Sequence, residues 1–90
     1  MFTGGILVNM IFFTFREYML ARKASVMLKN VGIQAKLART PAVLAVNGCG
    51  YGLWVKPSQL RSAVEELGRV GIRYEKIHGY DGRTYREMNV

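Results

Sequence analysis

The sequence has only one cysteine, Cys49, and one histidine, His78, among its 90 residues. A single cysteine cannot close an intramolecular disulfide, which argues against the small secreted domains that depend on a disulfide framework. A structural zinc site needs about four Cys, His or carboxylate ligands at suitable spacing, and this chain is poor in the first two. We expect no disulfide, no metal ion and no cofactor.

The sequence also lacks an apolar run long enough to cross a membrane. The apolar stretch Ile6–Phe15 has about half of the ~20 residues that a membrane-spanning helix needs. It contains the polar Asn9, and neither a basic segment nor a small-residue cleavage site accompanies it, so it does not fit a signal peptide. We expect a buried strand here, a cytoplasmic protein and no membrane partner.

Acidic residues are few, because six Asp and Glu stand against 13 Lys and Arg, for a net charge of +7. Nucleic acid, an acidic partner protein or a small anion would each suit this excess of positive charge. No run of basic residues is longer than two, which disfavours nucleic acid. With half of its residues hydrophobic and only two prolines, the chain is predicted to form one small globular domain.

Hydrophobic periodicity and the positions of glycine and proline predict four strands and two helices. In chain order these are strand Ile6–Thr14, helix Arg16–Val31, strand Ile33–Arg39, strand Tyr51–Val55, helix Pro57–Val70 and strand Ile72–Ile77. The segment Pro41–Val46 is predicted as a helical turn or an ordered loop. Residues 1–80 then form a single α+β domain, and residues 81–90 form a polar C-terminal tail.

The two halves of the chain share a pattern, since Val31-Gly32-Ile33 and Val70-Gly71-Ile72 each end a helix on glycine and lead into a strand. A glycine at this position supplies the left-handed conformation that commonly closes a helix. The order βαββαβ predicts a ferredoxin-like sandwich, in which a four-stranded antiparallel sheet carries two helices on one face. The strands of such a sheet lie in the spatial order 4-1-3-2.

This topology predicts that Cys49 lies at one edge of the sheet, because the third strand begins where the first one ends. His78 follows the fourth strand, so it is predicted at the opposite end and is a poor catalytic partner for the cysteine. The predicted neighbours of Cys49 come from the ends of the first two strands and the start of the fourth: Thr14, Phe15, Arg16, Arg39, Thr40 and Arg73.

Glycine stands on both sides of the cysteine, as Gly48 and Gly50, and would leave its sulfur open to another molecule. Cationic neighbours or a helix N-terminus lower the pKa of a cysteine below its ordinary value of ~8.5, and the thiolate is the reactive form. A free cysteine also commonly serves as a small buried hydrophobe. The residues alone leave both interpretations of Cys49 open.

Two other patterns are less informative. Gly48–Gly52 is rich in glycine but lacks the Gly-Lys-Ser/Thr of a phosphate loop and the six-residue dinucleotide fingerprint. Tyr51 and Trp54 lie on a predicted strand, as aromatic residues do in RNA-recognition sheets, but the basic-aromatic consensus of those sheets is absent. We predict that Trp54 packs in the core or at a homodimer interface.

Several short patterns recur in a fixed order along about residues 10–78, and their order and spacing together are more specific than any one of them. These patterns are Thr14-Phe15, Leu28-Lys29 before Gly32-Ile33, Thr40-Pro41, Cys49-Gly50, and a helix led by Pro57 that ends before Gly71-Ile72-Arg73-Tyr74. In these patterns the chain resembles a family of short bacterial proteins described as selenium/sulfur carrier-like and otherwise of unknown function.

The resemblance implies that Cys49 carries sulfur or selenium as a persulfide or a selenosulfide, received from a donor protein and passed to an acceptor protein. The alternative hypothesis is a non-covalent binding or regulatory module of ferredoxin-like fold, whose basic surface binds an acidic partner or a small anion. Independent enzymatic activity is disfavoured, because no positioned base is predicted beside Cys49.

Overall fold

The structure is a computed structural model that describes residues 8–45 and 50–89, so Gly48 and Cys49 lie outside the described residues. In chain order its elements are β1 (Met10–Thr14), α1 (Tyr18–Asn30), β2 (Ala35–Arg39), β3 (Tyr51–Val55), α2 (Leu60–Val70), β4 (Lys76–Tyr80) and β5 (Tyr85–Met88). A short 3-10 turn, Pro57–Gln59, precedes α2. Both predicted helices are present, and β3 has the predicted bounds.

The strands join one antiparallel sheet in the order β2-β3-β1-β4-β5. The first four strands follow the predicted spatial order. The prediction of a four-stranded sheet is wrong, because β5 pairs with the outer side of β4 and adds a fifth strand. The described chain is therefore an α+β structure with two helices and a five-stranded antiparallel sheet.

Alternating side chains divide the sheet into two faces, one of which both helices cover. The main core on this covered face joins strand and helix residues: Ile11, Phe13, Leu53 and Ile77 from the strands, and Ala24, Leu28, Ala63 and Leu67 from the helices. The opposite face, which we name the open face, carries one row of aligned residues across all strands: Lys36, Trp54, Phe12, His78 and Glu87.

Glycine ends both helices, as the repeated Val-Gly-Ile pattern predicts. Gly32 has a φ of 83° and Gly71 a φ of 77°, both in the left-handed region that glycine adopts without strain. The N–H of Ile33 closes the end of α1 by donating to the carbonyl oxygen of Leu28 at 2.9 Å, and an equivalent bond closes α2. In the described part of the chain no helix is long and apolar enough to cross a membrane.

The fourth strand begins later than the predicted Ile72. Residues 72–75 form no strand, although Ile72 is buried in the core with 6% of its surface exposed. The N–H of Glu75 donates to the carbonyl oxygen of Thr14 at 2.7 Å, and ladder pairing with β1 then starts at Lys76. Ile72, which predicts the start of the strand, is thus a core residue that precedes it.

A turn links β4 to the fifth strand within residues 81–90, the segment predicted as a polar tail. The Asp81 carboxylate accepts hydrogen bonds from the N–H groups of Arg83 and Thr84, both at 2.8 Å. Both hydrogen bonds lower the pKa of Asp81, and the bond from Thr84 has the larger effect. Gly82 has a φ of 99° and lets the chain reverse, so β5 returns along β4.

Candidate functional site

A cleft of about 910 Å³ opens at the edge of the sheet where β1 and β2 end and β3 and β4 begin. We name it the sheet-edge cleft and define it by its lining residues: Thr14, Phe15, Arg16, Thr40, Val43, Leu44, Ala45, Gly50, Glu75, Lys76 and His78. Five residues of the site predicted around Cys49 meet in it: Thr14, Phe15, Arg16, Thr40 and Gly50.

Thr14 ties the end of β1 to the start of β4. Its hydroxyl oxygen accepts a hydrogen bond from the N–H of Lys76 at 3.0 Å, and the hydroxyl donates to the carbonyl oxygen of Lys76 at 3.4 Å. Only 8% of its surface is exposed. Because the backbone of β4 already engages this hydroxyl, Thr14 shapes the wall of the cleft.

Thr40 and Gly50 lie side by side in the wall of the cleft. The N–H of Thr40 donates to the carbonyl oxygen of Gly50 at 2.9 Å, which extends the pairing of β2 with β3 by one step. A Cβ atom built on Gly50 would lie 3.3 Å from the hydroxyl oxygen of Thr40. The missing side chain of Gly50 therefore leaves space in front of that hydroxyl.

The segment after Thr40 forms a single helical turn on the rim of the cleft. The N–H groups of Leu44 and Ala45 donate to the carbonyl oxygen of Pro41 at 2.8 and 3.1 Å. The prediction of a helical turn or ordered loop is thus confirmed up to Ala45, and Val46 lies outside the described residues. Val43 is 76% exposed, so this turn presents an apolar side chain to solvent.

Two cationic side chains, Arg16 and Lys76, line the cleft. Arg16 is exposed between β1 and α1. The Nζ atom of Lys76 lies 3.6 Å from the Oε1 atom of Glu87. Both partners of that pair are about half exposed, so the ion pair contributes little stability. Glu75 adds one carboxylate to the lining. Across residues 8–45 and 50–89 there is no cluster of three His, Cys, Asp or Glu side chains that could hold a metal ion.

His78 lines the cleft from the middle of β4, where it faces Phe12 across the strand pair. It is 8% exposed, and its Nδ1 atom has no hydrogen-bond partner among the described residues. Burial lowers the pKa of His78 below its ordinary value of 6.5, and the Glu87 carboxylate opposes this with a smaller effect. The imidazole is therefore neutral near pH 7, with one ring nitrogen able to accept a hydrogen bond.

The prediction that His78 lies at the opposite end of the sheet is wrong. Because β4 begins at Lys76, His78 is inside the strand and close to the edge that forms the cleft. This edge of the sheet therefore does carry an imidazole, which the sequence did not lead us to expect. The sequence does carry a signal for this strand, since Ile77 and Gly79 alternate with His78 and Tyr80 between the two faces.

Arg39 is separated from the other predicted site residues and does not line the cleft. It pairs with Tyr51, whose ring packs against the main core on the covered face. Consecutive residues of a strand point to opposite faces, so Arg39 lies on the side of Tyr51 while Thr40 lies on the cleft side.

Residues 10–79 match the family model described as "Putative Se/S carrier protein-like". The matched segment runs from the first residue of β1 to within one residue of the end of β4 and includes every lining residue of the cleft. The chain belongs to this family. The resemblance seen in the sequence is thereby confirmed, and the family segment ends before β5. No match was found among curated proteins or among solved structures.

Proposed function

We propose that this member of the family carries sulfur or selenium covalently on Cys49, as a persulfide or a selenosulfide. A donor protein supplies the atom and an acceptor protein removes it, in line with the description of the family. Because the cargo is bonded to the protein, the proposal requires no metal and no nucleotide. A reduced cysteine of this kind suits a cytoplasmic protein.

The observation that carries the proposal is the cleft beside Gly50. Gly50 follows Cys49 directly in the chain and lines the cleft. A volume of about 910 Å³ is far larger than one sulfur or selenium atom needs. The remaining space suits a cysteine-bearing segment of a donor or acceptor protein, which has to reach the carrier's sulfur for exchange.

The groups that line the cleft suit the chemistry of a thiolate. Arg16 supplies positive charge that favours the thiolate over the thiol. Neutral His78 is a base that can accept the thiol proton. Thr14 and Thr40 shape the wall, and we assign Gly48 and Gly50 the role of keeping side chains away from the sulfur.

Loading is an exchange reaction that needs no outside oxidant. The Cys49 thiolate attacks the terminal sulfur of a donor persulfide, R–S–SH, and a new S–S bond forms on Cys49 as the S–S bond of the donor breaks. The donor leaves as the thiolate R–S⁻, and Cys49 holds –S–SH. A donor selenosulfide, R–S–SeH, reacts in the same way at selenium. A new S–Se bond forms on Cys49 as the S–Se bond of the donor breaks, and R–S⁻ leaves. Unloading repeats the exchange on the thiolate of an acceptor.

Loading can be tested by incubating the reduced protein with a cysteine desulfurase and cysteine, followed by intact-protein mass spectrometry. We expect the wild type to gain the mass of one sulfur atom and Cys49→Ser to gain none. A known sulfur carrier, loaded in parallel, is the positive control. If that carrier gains sulfur and the wild-type protein does not, the proposal is wrong.

The alternative function is a non-covalent module in which the cleft binds a small anion and Cys49 serves only for packing. The exposed positive charge of Arg16 in the lining favours an anion as its ligand. Alkylation kinetics separate the two functions, because a carrier thiol should react faster than free cysteine at neutral pH, with a pKa below ~8.5. A thiol that reacts no faster than free cysteine supports the alternative.

The same kinetics test the contribution of the cleft. We expect Arg16→Gln to slow the alkylation of Cys49, because the cation that favours the thiolate is lost. Arg39→Gln removes an equal charge on the other side of the sheet and is the matched control. Equal effects of the two substitutions would assign the reactivity to overall charge rather than to the cleft.

A further inference from the structure

The open face carries an aromatic cluster that the proposed function does not use. Ring centroids are 4.8 Å apart for Phe12 and Trp54, 5.9 Å for Trp54 and Tyr80, and 4.4 Å for Tyr80 and Tyr85. Phe12 is completely buried beneath the others, which are partly exposed. We name the three partly exposed rings, Trp54, Tyr80 and Tyr85, the aromatic platform.

Strand register is what assembles this platform. Trp54 lies directly opposite Phe12 on the neighbouring strand, and Tyr80 lies directly opposite Tyr85. The planes of the two tyrosine rings are inclined by only 24°, so these rings are stacked. The platform is therefore one continuous aromatic patch across β3, β4 and β5, in which Trp54 lies beside a stacked pair of tyrosines.

A basic groove of about 520 Å³ borders the platform at Trp54. Three lysines line it, Lys29 from α1, Lys36 from β2 and Lys56 from the residue after β3. All three are exposed, and none of them forms an ion pair with another described residue. Their charges are therefore available to an anionic ligand that reaches Trp54.

Negative charge lies on the other side of the platform. Glu87 on β5 is 3.6 Å from Lys76 between Oε1 and Nζ, and the Asp81 carboxylate is engaged by the backbone of its own turn. Both belong to the β4–β5 side of the sheet, whereas the groove lies at the start of β2 and the end of β3. Neither of these two carboxylates therefore lies beside the three lysines, and neither offsets the positive charge of the groove.

We propose that the aromatic platform and the basic groove together bind single-stranded nucleic acid. Its bases stack on Trp54 and against the stacked pair of tyrosines, and its phosphates contact the three lysines. Stacking on aromatic side chains beside a positively charged groove is how proteins bind single strands without reading their sequence. An acidic peptide would use the lysines but not three adjacent rings, and the bases of a duplex are already stacked on each other.

This surface could not be found by scanning along the chain. Runs of basic residues and the RNA-recognition consensus are both contiguous patterns, and neither is present. Here the three lysines come from separate elements, and the rings come from three strands. The groove lies at the end of the sheet opposite the sheet-edge cleft, so binding here is independent of the chemistry proposed for Cys49.

Trp54 is the only tryptophan in the chain, so its fluorescence reports directly on the platform. We expect oligouridylate and oligothymidylate to quench it, and a DNA duplex of equal length and polyglutamate to leave it largely unchanged. The logarithm of the binding constant should fall against the logarithm of salt concentration with a slope of about −2, because each phosphate contact on a single strand contributes about −0.7.

Two triple variants with equal charge test the position of the site by the anisotropy of a labelled oligonucleotide. Lys29→Ala/Lys36→Ala/Lys56→Ala should weaken binding and flatten its dependence on salt. Arg22→Ala/Lys23→Ala/Arg61→Ala removes the same charge from the helices of the covered face and should retain the slope of the wild type.

Two single substitutions separate the platform from Cys49 in the same assay. Trp54→Leu should weaken binding at least about fivefold through loss of stacking, and Trp54→Tyr, which keeps a ring, should restore most of it. Cys49→Ser should bind like the wild type.

Four results would each overturn the proposal. The first is absence of quenching by either oligonucleotide, and the second is an equal loss of affinity in the two triple variants. The third is quenching by polyglutamate as strong as that by oligonucleotides, which would assign the surface to an acidic protein. The fourth is a homodimer in light scattering whose dissociation changes the fluorescence of Trp54, which would assign the surface to a second copy of the chain.

Discussion

At Gly52 the backbone of β3 packs directly against β1 and the ring of Phe12. A Cβ atom built there would lie 2.6 Å from two ring carbons of Phe12 and closer still to the carbonyl oxygen of Phe13. A backbone oxygen within a sheet cannot move aside without breaking the pairing of the strands. We expect Gly52→Ala to lower the free energy of unfolding by about 3 kcal/mol or more, as measured by chemical denaturation.

Gly68 is the matched control for that substitution. It is exposed in α2, and no atom lies within 4 Å of a Cβ built on it. Gly68→Ala should raise the free energy of unfolding by ~0.5–1 kcal/mol, because alanine loses less backbone entropy in a helix. If the two alanine variants changed stability alike, the close packing at Gly52 would be refuted.

The burial of His78 makes stability depend on pH. Because burial lowers the pKa of His78 in the folded protein, the unfolded chain binds its proton more readily. The stabilising contribution of the neutral imidazole is fully present above the ordinary pKa of 6.5 and is lost as the pH falls through the folded-state pKa. We therefore expect the free energy of unfolding to decrease below about pH 6.5.

Denaturation over a pH series, with His78→Gln as the comparison, measures this effect. The variant should lack the decrease between neutral pH and the onset of carboxylate protonation. The groups that face the imidazole, Glu87 across the strand pair and Lys76 on the same strand, remain in both proteins. Since His78 is the only histidine, its NMR titration gives the pKa directly, and a value at or above 6.5 would contradict its burial.

Among the elements, the ends of the helices depend on backbone conformation rather than on space. Nothing lies within 4 Å of a Cβ built on Gly32, but its φ is 83°. Gly32→Ala should therefore cost ~1–2 kcal/mol in thermal or chemical denaturation. Gly32→Asn should cost less, because asparagine tolerates the left-handed region. An asparagine variant as unstable as the alanine variant would indicate a cause other than backbone strain.

The fifth strand should contribute to the stability of the sheet. Met88 packs against the main core and Tyr85 stacks on Tyr80. A chain that ends after Gly82 loses these contacts and exposes the edge of β4, so its free energy of unfolding should fall by about 2–3 kcal/mol. Denaturation of the shortened chain and hydrogen exchange of the β4 amides measure the change. Unaltered stability would show that residues after Gly82 act as the predicted tail.

The elements that could be predicted from sequence are those with local signals. Apolar periodicity and a terminal glycine predict both helices, and the glycine-rich segment before β3 and Pro57 after it predict the bounds of that strand. The start of β4 differs from the predicted start because Ile72 is buried in the core ahead of the strand. In the sequence, such a buried apolar residue looks the same as the first residue of a strand. The sequence does contain a signal for β5, since Asp81-Gly82 is a common turn dipeptide between two strands.

For the whole molecule, strand order was sufficient to predict which residues meet at the edge of the sheet but not which way they point. Thr14, Arg16, Thr40 and Gly50 meet in the cleft because their strands end there. Arg39 does not, because the alternation of a strand turns it away from its neighbour Thr40. His78 was missed through the bounds of β4, and the aromatic platform depends on the register of three strands, which the sequence alone does not specify.

The two proposed surfaces occupy opposite ends of one sheet. The cleft lies where β1 and β2 end, and the platform with its groove lies toward the start of β2 and the end of β3. A partner protein at Cys49 and a nucleic acid at Trp54 would therefore not compete for the same residues. Substitutions in one surface should leave the other activity unchanged, which gives each experiment an internal control.

The most direct test of the carrier function is to follow one labelled atom through Cys49. The protein is loaded from a desulfurase with isotopically labelled cysteine sulfur, freed of donor and mixed with an acceptor thiol, and mass spectrometry of its peptides follows the label. The carrier function predicts the label on the peptide of Cys49 and its later appearance on the acceptor in equal amount. Label on no peptide, or label that never leaves Cys49, would contradict a carrier.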